Sequence, residues 1–177
     1  MSRRLLRAAV LATACLAPAC FSSWAQAQSL KSFKAVLTFE EYVNFPGALP
    51  CYGIGQLRGT GQATAGLGSV RATSQDCINP LGLDPNVPTA FGFVSGTGLQ
   101  GLVFTTSTGE QVHAVYAGTL TPQAGRPYAI NGFFVITGGT GRYARASGGG
   151  TLTGTENIAA SPAPAQGEIA LTGRIAY

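Results

Sequence analysis

Two adjacent glutamates, Glu40 and Glu41, have the clearest capacity for chemistry in this 177-residue chain. They lie near the end of an alternating segment, and because successive residues of a strand face opposite sides, only one of them can point inward. Glu41 shares its side with Leu37, Phe39 and Val43. A carboxyl that faces an apolar cavity loses hydration, which raises its pKa and suits it to acid–base catalysis. Glu40 and Glu41 are therefore the candidate catalytic residues, and the alternative is two solvated charges at a strand end.

The only histidine, His113, lies on the more polar face of another alternating segment, whereas Tyr116 lies on its apolar face. A catalytic histidine needs a nucleophile and an orienting acid beside it, and the sequence places neither there. We therefore expect His113 at the surface or at a rim. The candidate ligand-binding residues are Phe39, Tyr42, His113 and Tyr116.

A glycine-rich stretch offers a second kind of chemistry, because Gly139, Gly141 and Ala144 have the spacing of a phosphate-binding turn in dinucleotide folds. That turn must lead into a helix, with an acidic residue about 20 positions further on. Three consecutive glycines, 148–150, occupy the place of the helix, and each costs about 1 kcal/mol relative to alanine in a helix interior. The sequence therefore predicts a turn between strands and no dinucleotide cofactor.

The N-terminus has the pattern of a secretory signal peptide. Arg3, Arg4 and Arg7 precede an apolar run, and Ala25 and Ala27 supply the small residues of a cleavage site. We expect residues 1–27 to be removed and residues 28–177 to be secreted or periplasmic, by general secretion or by the twin-arginine route, with a lipoprotein anchor as a further alternative. The apolar run is too short to span a bilayer, so no transmembrane segment is predicted.

Removal of this leader leaves eight basic and seven acidic residues, a net charge of +1. The basic residues are scattered along the chain and form no cluster. A nucleic-acid partner and a polybasic membrane contact are therefore not expected.

Cys51 and Cys77 are the only cysteines of the predicted mature chain. In an oxidising compartment they should form a disulfide, and the alternatives are two free thiols or half of a metal site. The single distant histidine and the lack of a C-x-x-C motif argue against a metal. A turn near residues 65–68 lies midway between the cysteines, so the bond should hold together the open end of a hairpin.

The elements that must position these residues are short strands. All 25 glycines follow the leader, threonines are abundant, and no window sustains helical periodicity. The candidate strands of this single all-β domain are 34–42, 53–62, 69–75, 90–95, 101–106, 110–121, 128–137, 150–155 and 167–177. Because closure leaves no strand edge exposed, we expect an antiparallel barrel of eight or nine strands, with a β-sandwich as the alternative.

The segment FVITGGTGRYARA, residues 134–146, resembles the turn between late strands of the allene oxide cyclase and dirigent barrel superfamily. The resemblance implies an eight-stranded antiparallel barrel of calycin-like shape, often trimeric, with an apolar cavity that steers a small hydrophobic molecule. It also implies an acidic residue on the first strand, which Glu40 matches in kind. Residues 133–136 are apolar on both faces and are a candidate oligomer contact.

The expected function is a secreted barrel that binds a small apolar molecule in its interior, without a cofactor or a metal. One alternative is an enzyme, an isomerase or cyclase that uses a cavity carboxylate, or a dirigent-like protein that steers coupling. Another is a structural or interaction protein of the cell envelope. The same barrel shape serves many functions, so the fold alone does not choose among the three.

Overall fold

The computed structural model describes residues 29–45, 50–82, 89–96, 98–158 and 163–177, and the predicted signal peptide lies outside these ranges. The strands are β1 (Leu30–Asn44), β2 (Gly53–Ala63), β3 (Gly68–Pro80), β4 (Phe91–Ser95), β5 (Leu102–Thr106), β6 (Gln111–Gln123), β7 (Arg126–Gly139), β8 (Ser147–Asn157) and β9 (Ala165–Ala176). A single turn of 3₁₀-helix, Gly141–Tyr143, is the only helical element of the described residues. No helix in these ranges is long and apolar enough to cross a membrane.

The strands close into an antiparallel barrel with eight positions. β1 pairs with β2 on one side and with β9 on the other, and β6 to β9 follow one another around the wall. β4 and β5 share one position, because each pairs with a different half of β3 and of β6. The predicted closed barrel is confirmed, and the nine predicted strands are all present.

Alternation along each strand decides which side chains face the interior. In β1 the inward series is Phe33, Ala35, Leu37, Phe39 and Glu41, each almost fully buried, while the residues between them are exposed. The inward faces meet in one apolar core. This is the period-2 pattern expected of strands that have one face on a core and one in water.

The glycine-rich stretch is a connection between strands, as the sequence predicts. β7 ends at Gly139, the 3₁₀ turn follows, and β8 begins at Ser147, three residues before its predicted start. Gly150 is paired with β7 and β9, and a Cβ there would collide with the Thr172 carbonyl of β9. The absent side chain therefore allows a close approach of strands, and no helix follows the turn.

The two ends of the barrel differ. At one end, which we call the tyrosine end, Tyr143 and Tyr177 pack with ring centroids 4.7 Å apart and reach Ala65 on the β2–β3 turn. At the other end, which we call the mouth, lie the C-terminal ends of β1, β3 and β8 and the N-terminal ends of β2, β4 and β9.

Cys51 and Cys77 form a disulfide at the mouth, as predicted. Cys51 lies just before β2, Cys77 lies in β3, and the first pair of the β2–β3 ladder is Gly53 with Ile78. The bond therefore closes the open end of this hairpin, opposite its turn at residues 64–67.

Candidate functional site

Three buried carboxyls, Glu41, Asp76 and Glu156, meet inside the barrel near the mouth. They come from β1, β3 and β8, and the residues are 6%, 5% and 5% exposed. The Glu41 carboxyl is in contact with both of the others. We call these three residues the carboxyl cluster. The described residues contain no group of histidine, cysteine, aspartate and glutamate side chains arranged to hold a metal ion.

Gly55 of β2 makes space for two of these carboxyls. It faces the interior between its partners Val43 of β1 and Asp76 of β3. A Cβ at this position would collide with Asp76 Oδ1 and Glu41 Oε1. The carboxyl groups therefore occupy the volume that a side chain of β2 would otherwise fill.

Tyr116 of β6 places a hydroxyl beside the cluster. Its side chain is buried, and its hydroxyl lies 2.8 Å from Ser74 Oγ of β3. The Tyr116 backbone is held by Ser95, whose Oγ accepts from the Tyr116 N–H at 2.9 Å and donates to the Tyr116 carbonyl at 3.4 Å. The Tyr116 hydroxyl is therefore held in a fixed position beside the carboxyl cluster.

Asp76 has an unsatisfied oxygen. Its Oδ1 is fully buried and has no hydrogen-bond partner among the described residues. Asp76 also lines the inner cavity. Buried polar atoms in native proteins are almost always paired, and an unpaired one costs about 1–3 kcal/mol. Asp76 Oδ1 is therefore a buried acceptor that is free for a donor, which is either a proton on a neighbouring carboxyl or a bound group.

Burial raises the pKa of all three carboxyls. For Asp76 the loss of hydration raises the pKa to about 6, although contacts with Glu41 and Tyr116 favour its charged form. For Glu156, burial and the nearby charge of Asp76 raise the pKa to about 7. For Glu41, burial and repulsion from Asp76 and Glu156 hold the pKa well above its usual value. At neutral pH the cluster therefore retains protons and can both donate and accept them.

Two spaces that share part of their lining adjoin the cluster. The inner cavity has a volume of about 40 Å³ and mostly apolar walls that include Phe39, Phe91 and Phe93. The mouth pocket has a volume of about 330 Å³ and opens to solvent. The residues that line both spaces are Glu41, Ile78, Phe91, Leu120 and Glu156. Two members of the carboxyl cluster, Glu41 and Glu156, therefore line both spaces, and Asp76 lines the inner cavity.

Four of the residues predicted from sequence line these spaces. Phe39, Glu41 and Tyr116 line the inner cavity, and Tyr42 lines the mouth pocket with 45% of its surface exposed. Of the two candidate catalytic glutamates, the inward one is Glu41, a choice that the sequence left open because Glu41 has the apolar companions and Glu40 the family match.

Glu40 and His113 lie outside both spaces. Glu40 is on the outer face of β1, where it accepts a hydrogen bond of 3.5 Å from Gln166 Nε2. His113 is half-buried on the outer face of β6, and its Nε2 lies 3.0 Å from Gln111 Oε1. The candidate catalytic role of Glu40 and the candidate ligand contact of His113 therefore have no support from position, because their strands turn both side chains away from the interior.

The sequence analysis did not identify Asp76, Glu156 or Ser74. The predicted strands ended at residues 75 and 155, one residue before each carboxyl. Continued alternation was the available signal: Asp76 follows Ala72 and Ser74 on one face, and Glu156 follows Leu152 on another. These faces of β3 and β8 meet only because the barrel closes, and closure cannot be seen in a local sequence pattern.

A scan of protein-family models and a search of curated proteins found no match to this chain. The resemblance of residues 134–146 to allene oxide cyclase and dirigent barrels therefore stays a prediction. The barrel itself is established by its strand pairing.

Proposed function

We propose that this protein binds a small, mostly apolar molecule, with the body of the molecule in the mouth pocket and one polar group at the carboxyl cluster. The volumes of the two spaces support this placement of the apolar body and the polar group. The inner cavity of about 40 Å³ has room for two or three water-sized groups. The mouth pocket of about 330 Å³ falls within the range of small-molecule sites. The ligand is thus placed nearer the mouth than the sequence led us to expect.

The unpaired Asp76 Oδ1 is the observation that carries the proposal. A barrel kept only for structure gains nothing from three buried carboxyls, because burying ionisable groups without a cation lowers the stability of the folded state. Groups that break the packing rules of a core are typical of functional sites. This favours ligand binding over a purely structural role in the cell envelope.

Binding of N-phenyl-1-naphthylamine, an apolar fluorescent probe, tests the proposal. Ala163 is exposed and lines the mouth pocket, so Ala163→Trp should fill it and weaken probe binding by about tenfold or more. Ala144 is exposed near the tyrosine end, and Ala144→Trp is the matched control. Equal probe binding by the two variants, or no saturable binding by the unaltered protein, would refute the proposed site.

An isomerase or cyclase is the second candidate, and the raised pKa values of the carboxyls favour it. Asp76 and Glu156, with pKa values of about 6 and 7, can act as bases near neutral pH. Glu41, whose pKa is held well above its usual value by burial and by both neighbours, is the candidate acid. This arrangement is an acid and a base in contact with each other beside an apolar cavity.

Ring opening of 5-nitrobenzisoxazole measures such a base directly. The base takes the proton from the ring carbon, the nitrogen–oxygen bond breaks, and a nitrile and a phenolate form. If the site is catalytic, the rate should rise as pH passes about 7, the pKa of Glu156, which also lines the mouth pocket. Glu156→Gln should then remove most of the rate and Glu40→Gln should leave it unchanged. No difference between Glu156→Gln and the unaltered protein would reject the acid–base role.

We also propose that the barrel self-associates through the outer face of β7, as the apolar segment 133–136 suggests. Phe133 and Val135 are 59% and 46% exposed, and Ala117 of β6 lies beside Phe133. Sedimentation equilibrium should give a mass above that of one chain, and Phe133→Ser should lower it. A monomer at all concentrations would exclude this contact.

Export after cleavage near Ala27 remains part of the proposal. The Cys51–Cys77 disulfide supports it, since such bonds persist mainly in oxidising compartments. N-terminal sequencing of the protein from its native host should begin at Gln28, and an intact N-terminus would exclude cleavage.

A further inference from the structure

We infer that the ligand is a small amine, bound as an ammonium cation whose N–H groups donate to the carboxyl cluster. This inference rests on the proposed function and names the chemical class of its ligand. It follows from the charge, the hydrogen-bond donors and the shape of the space around Asp76 Oδ1.

The charges around the cluster have one sign. The titratable groups that face it are Glu41 from β1, Asp76 from β3, Tyr116 from β6 and Glu156 from β8. The other five strands contribute glycine and apolar side chains, which are Gly55, Leu57, Phe91, Phe93, Leu102, Ile130 and Ile169. Among the described residues, no lysine, arginine or histidine lines the inner cavity or the mouth pocket. A cation is therefore attracted to this site, and an anion is repelled.

The hydrogen-bonding capacity of the cluster is also one-sided. When the three carboxyls are ionised they only accept; one of the two hydroxyl protons of Ser74 and Tyr116 is used in the bond between them, and Tyr116 also contacts Asp76. Asp76 Oδ1 has no donor within the described chain. An ammonium group offers three donors without an acceptor, whereas an alcohol offers one. The amine therefore complements a site in which acceptors outnumber donors.

The shape of the site suits the same group. A cavity of about 40 Å³ admits an ammonium group but not a ring. Its walls include Phe93 and Tyr116, whose ring centroids lie 5.8 Å apart, and aromatic faces attract cations. Because the apolar walls exclude bulk water, charge-assisted hydrogen bonds formed here are strong. The apolar body of the amine extends into the mouth pocket.

Ammonium binding is linked to proton release. A carboxyl that holds its proton must release it to accept from the ammonium group, so the cation replaces the proton as the neutralising charge. Burial raises the pKa of Asp76 to about 6 and that of Glu156 to about 7. Affinity for the amine should therefore increase between pH 5 and pH 8, while affinity for an uncharged analogue should change little.

Calorimetric titration with 2-phenylethylamine and 2-phenylethanol tests this inference, because the two compounds match in size and differ in charge. At pH 8 the amine should bind about tenfold or more tightly than the alcohol, and at pH 5 the preference should largely disappear. Asp76→Asn should remove most of the preference without weakening the alcohol. Glu156→Gln should reduce the preference too, and the outward-facing Glu40→Gln should preserve it.

The outcomes separate the two proposals. If both compounds bind with equal affinity at pH 8, the amine inference fails and the proposed binding function stands. The amine inference also fails if Asp76→Asn and Glu156→Gln both keep the full preference. If neither compound nor the fluorescent probe binds, the proposed function fails as well.

Discussion

The two ends of the barrel treat their polar groups in opposite ways. At the tyrosine end, one carbonyl, that of Ala65, accepts from the Tyr177 hydroxyl at 2.6 Å and from the Tyr143 hydroxyl at 3.3 Å. At the mouth, Asp76 Oδ1 has no partner among the described residues although it is fully buried. The same barrel therefore satisfies its polar atoms at one end and leaves one unsatisfied at the other.

Charge follows the same division. At the tyrosine end, Arg142 pairs with Glu110 at 3.3 Å and donates to the Gly66 carbonyl at 2.7 Å. The carboxyl cluster has acidic neighbours and no basic residue in its lining within the described chain. The tyrosine end therefore pairs its polar groups, whereas the mouth gives up stability at the carboxyl cluster, which is the property that the proposed ligand site requires.

Removal of the Tyr143 ring should have the largest effect on stability. Its side chain is fully buried in the core, and Tyr143→Ala should lower the free energy of unfolding by about 4 kcal/mol because it leaves a large cavity. Tyr143→Phe keeps the ring and should cost about 1 kcal/mol. Urea unfolding measures both variants. If Tyr143→Ala costs under about 1 kcal/mol, the tyrosine end is not the stable half of the barrel.

Loss of the disulfide should be the next largest effect, and it acts at the mouth. The bond closes a loop of 26 residues, so replacement of both Cys51 and Cys77 by serine should destabilise by about 3.5 kcal/mol through the added chain entropy of the unfolded state. Because the bond lies outside the cavity lining, the amine-to-alcohol preference should survive at temperatures where the variant is folded. A loss of that preference would show that the disulfide positions the site as well as stabilising it.

The tyrosine end was more accessible to sequence analysis than the mouth. The turn after β7 was predicted from contiguous residues, Gly139 and Gly141. For β1, simple alternation gave the two faces but not which of them points inward. Asp76 and Glu156 are 80 residues apart and meet only because β8 and β3 are parts of one closed wall. Glu41 could be placed among apolar neighbours from the sequence, but its acidic partners required the pairing of distant strands.

The free energy of unfolding should fall by about 3 kcal/mol as pH rises, because of Asp76 in the carboxyl cluster at the mouth. The pKa of Asp76 rises from 3.8 to about 6 on folding, so the folded state binds more protons between those values. Protonation of Asp76 stabilises the folded state below pH 4, and this contribution is lost as pH rises through 6. For this shift in pKa the contribution is about 3 kcal/mol. Thermal unfolding at pH 4 to 8 should therefore show a falling midpoint.

Asp76→Asn is the matched variant for this experiment, because it keeps the shape of the side chain and removes its titration. The fall in midpoint should become shallower in Asp76→Asn, and Glu40→Gln should follow the unaltered protein. A midpoint that rises between pH 5 and pH 8 would contradict the assignment of raised pKa values to the carboxyl cluster.

Gly55→Ala should have the smallest of these effects, about 2 kcal/mol, and it tests the packing of the cluster most directly. Alanine in place of glycine within a strand normally stabilises by about 0.5–1 kcal/mol when there is room. Here the added methyl group collides with the carboxyls of Asp76 and Glu41, so the sign should reverse. In an Asp76→Ala background the collision with Asp76 is relieved while that with Glu41 remains, so part of the penalty should vanish, a non-additivity that a double-mutant cycle measures.

The matched control lies at the tyrosine end. Gly66 has φ +79°, and a Cβ added there would have no contact closer than 3.5 Å. Gly66→Ala should therefore cost about 1 kcal/mol from backbone strain alone, with or without the Asp76 carboxyl. Equal penalties for Gly55→Ala in the unaltered protein and in Asp76→Ala would mean that the carboxyl side chains move aside at little cost. The contrast between a rigid site at the mouth and a stable tyrosine end would then fail.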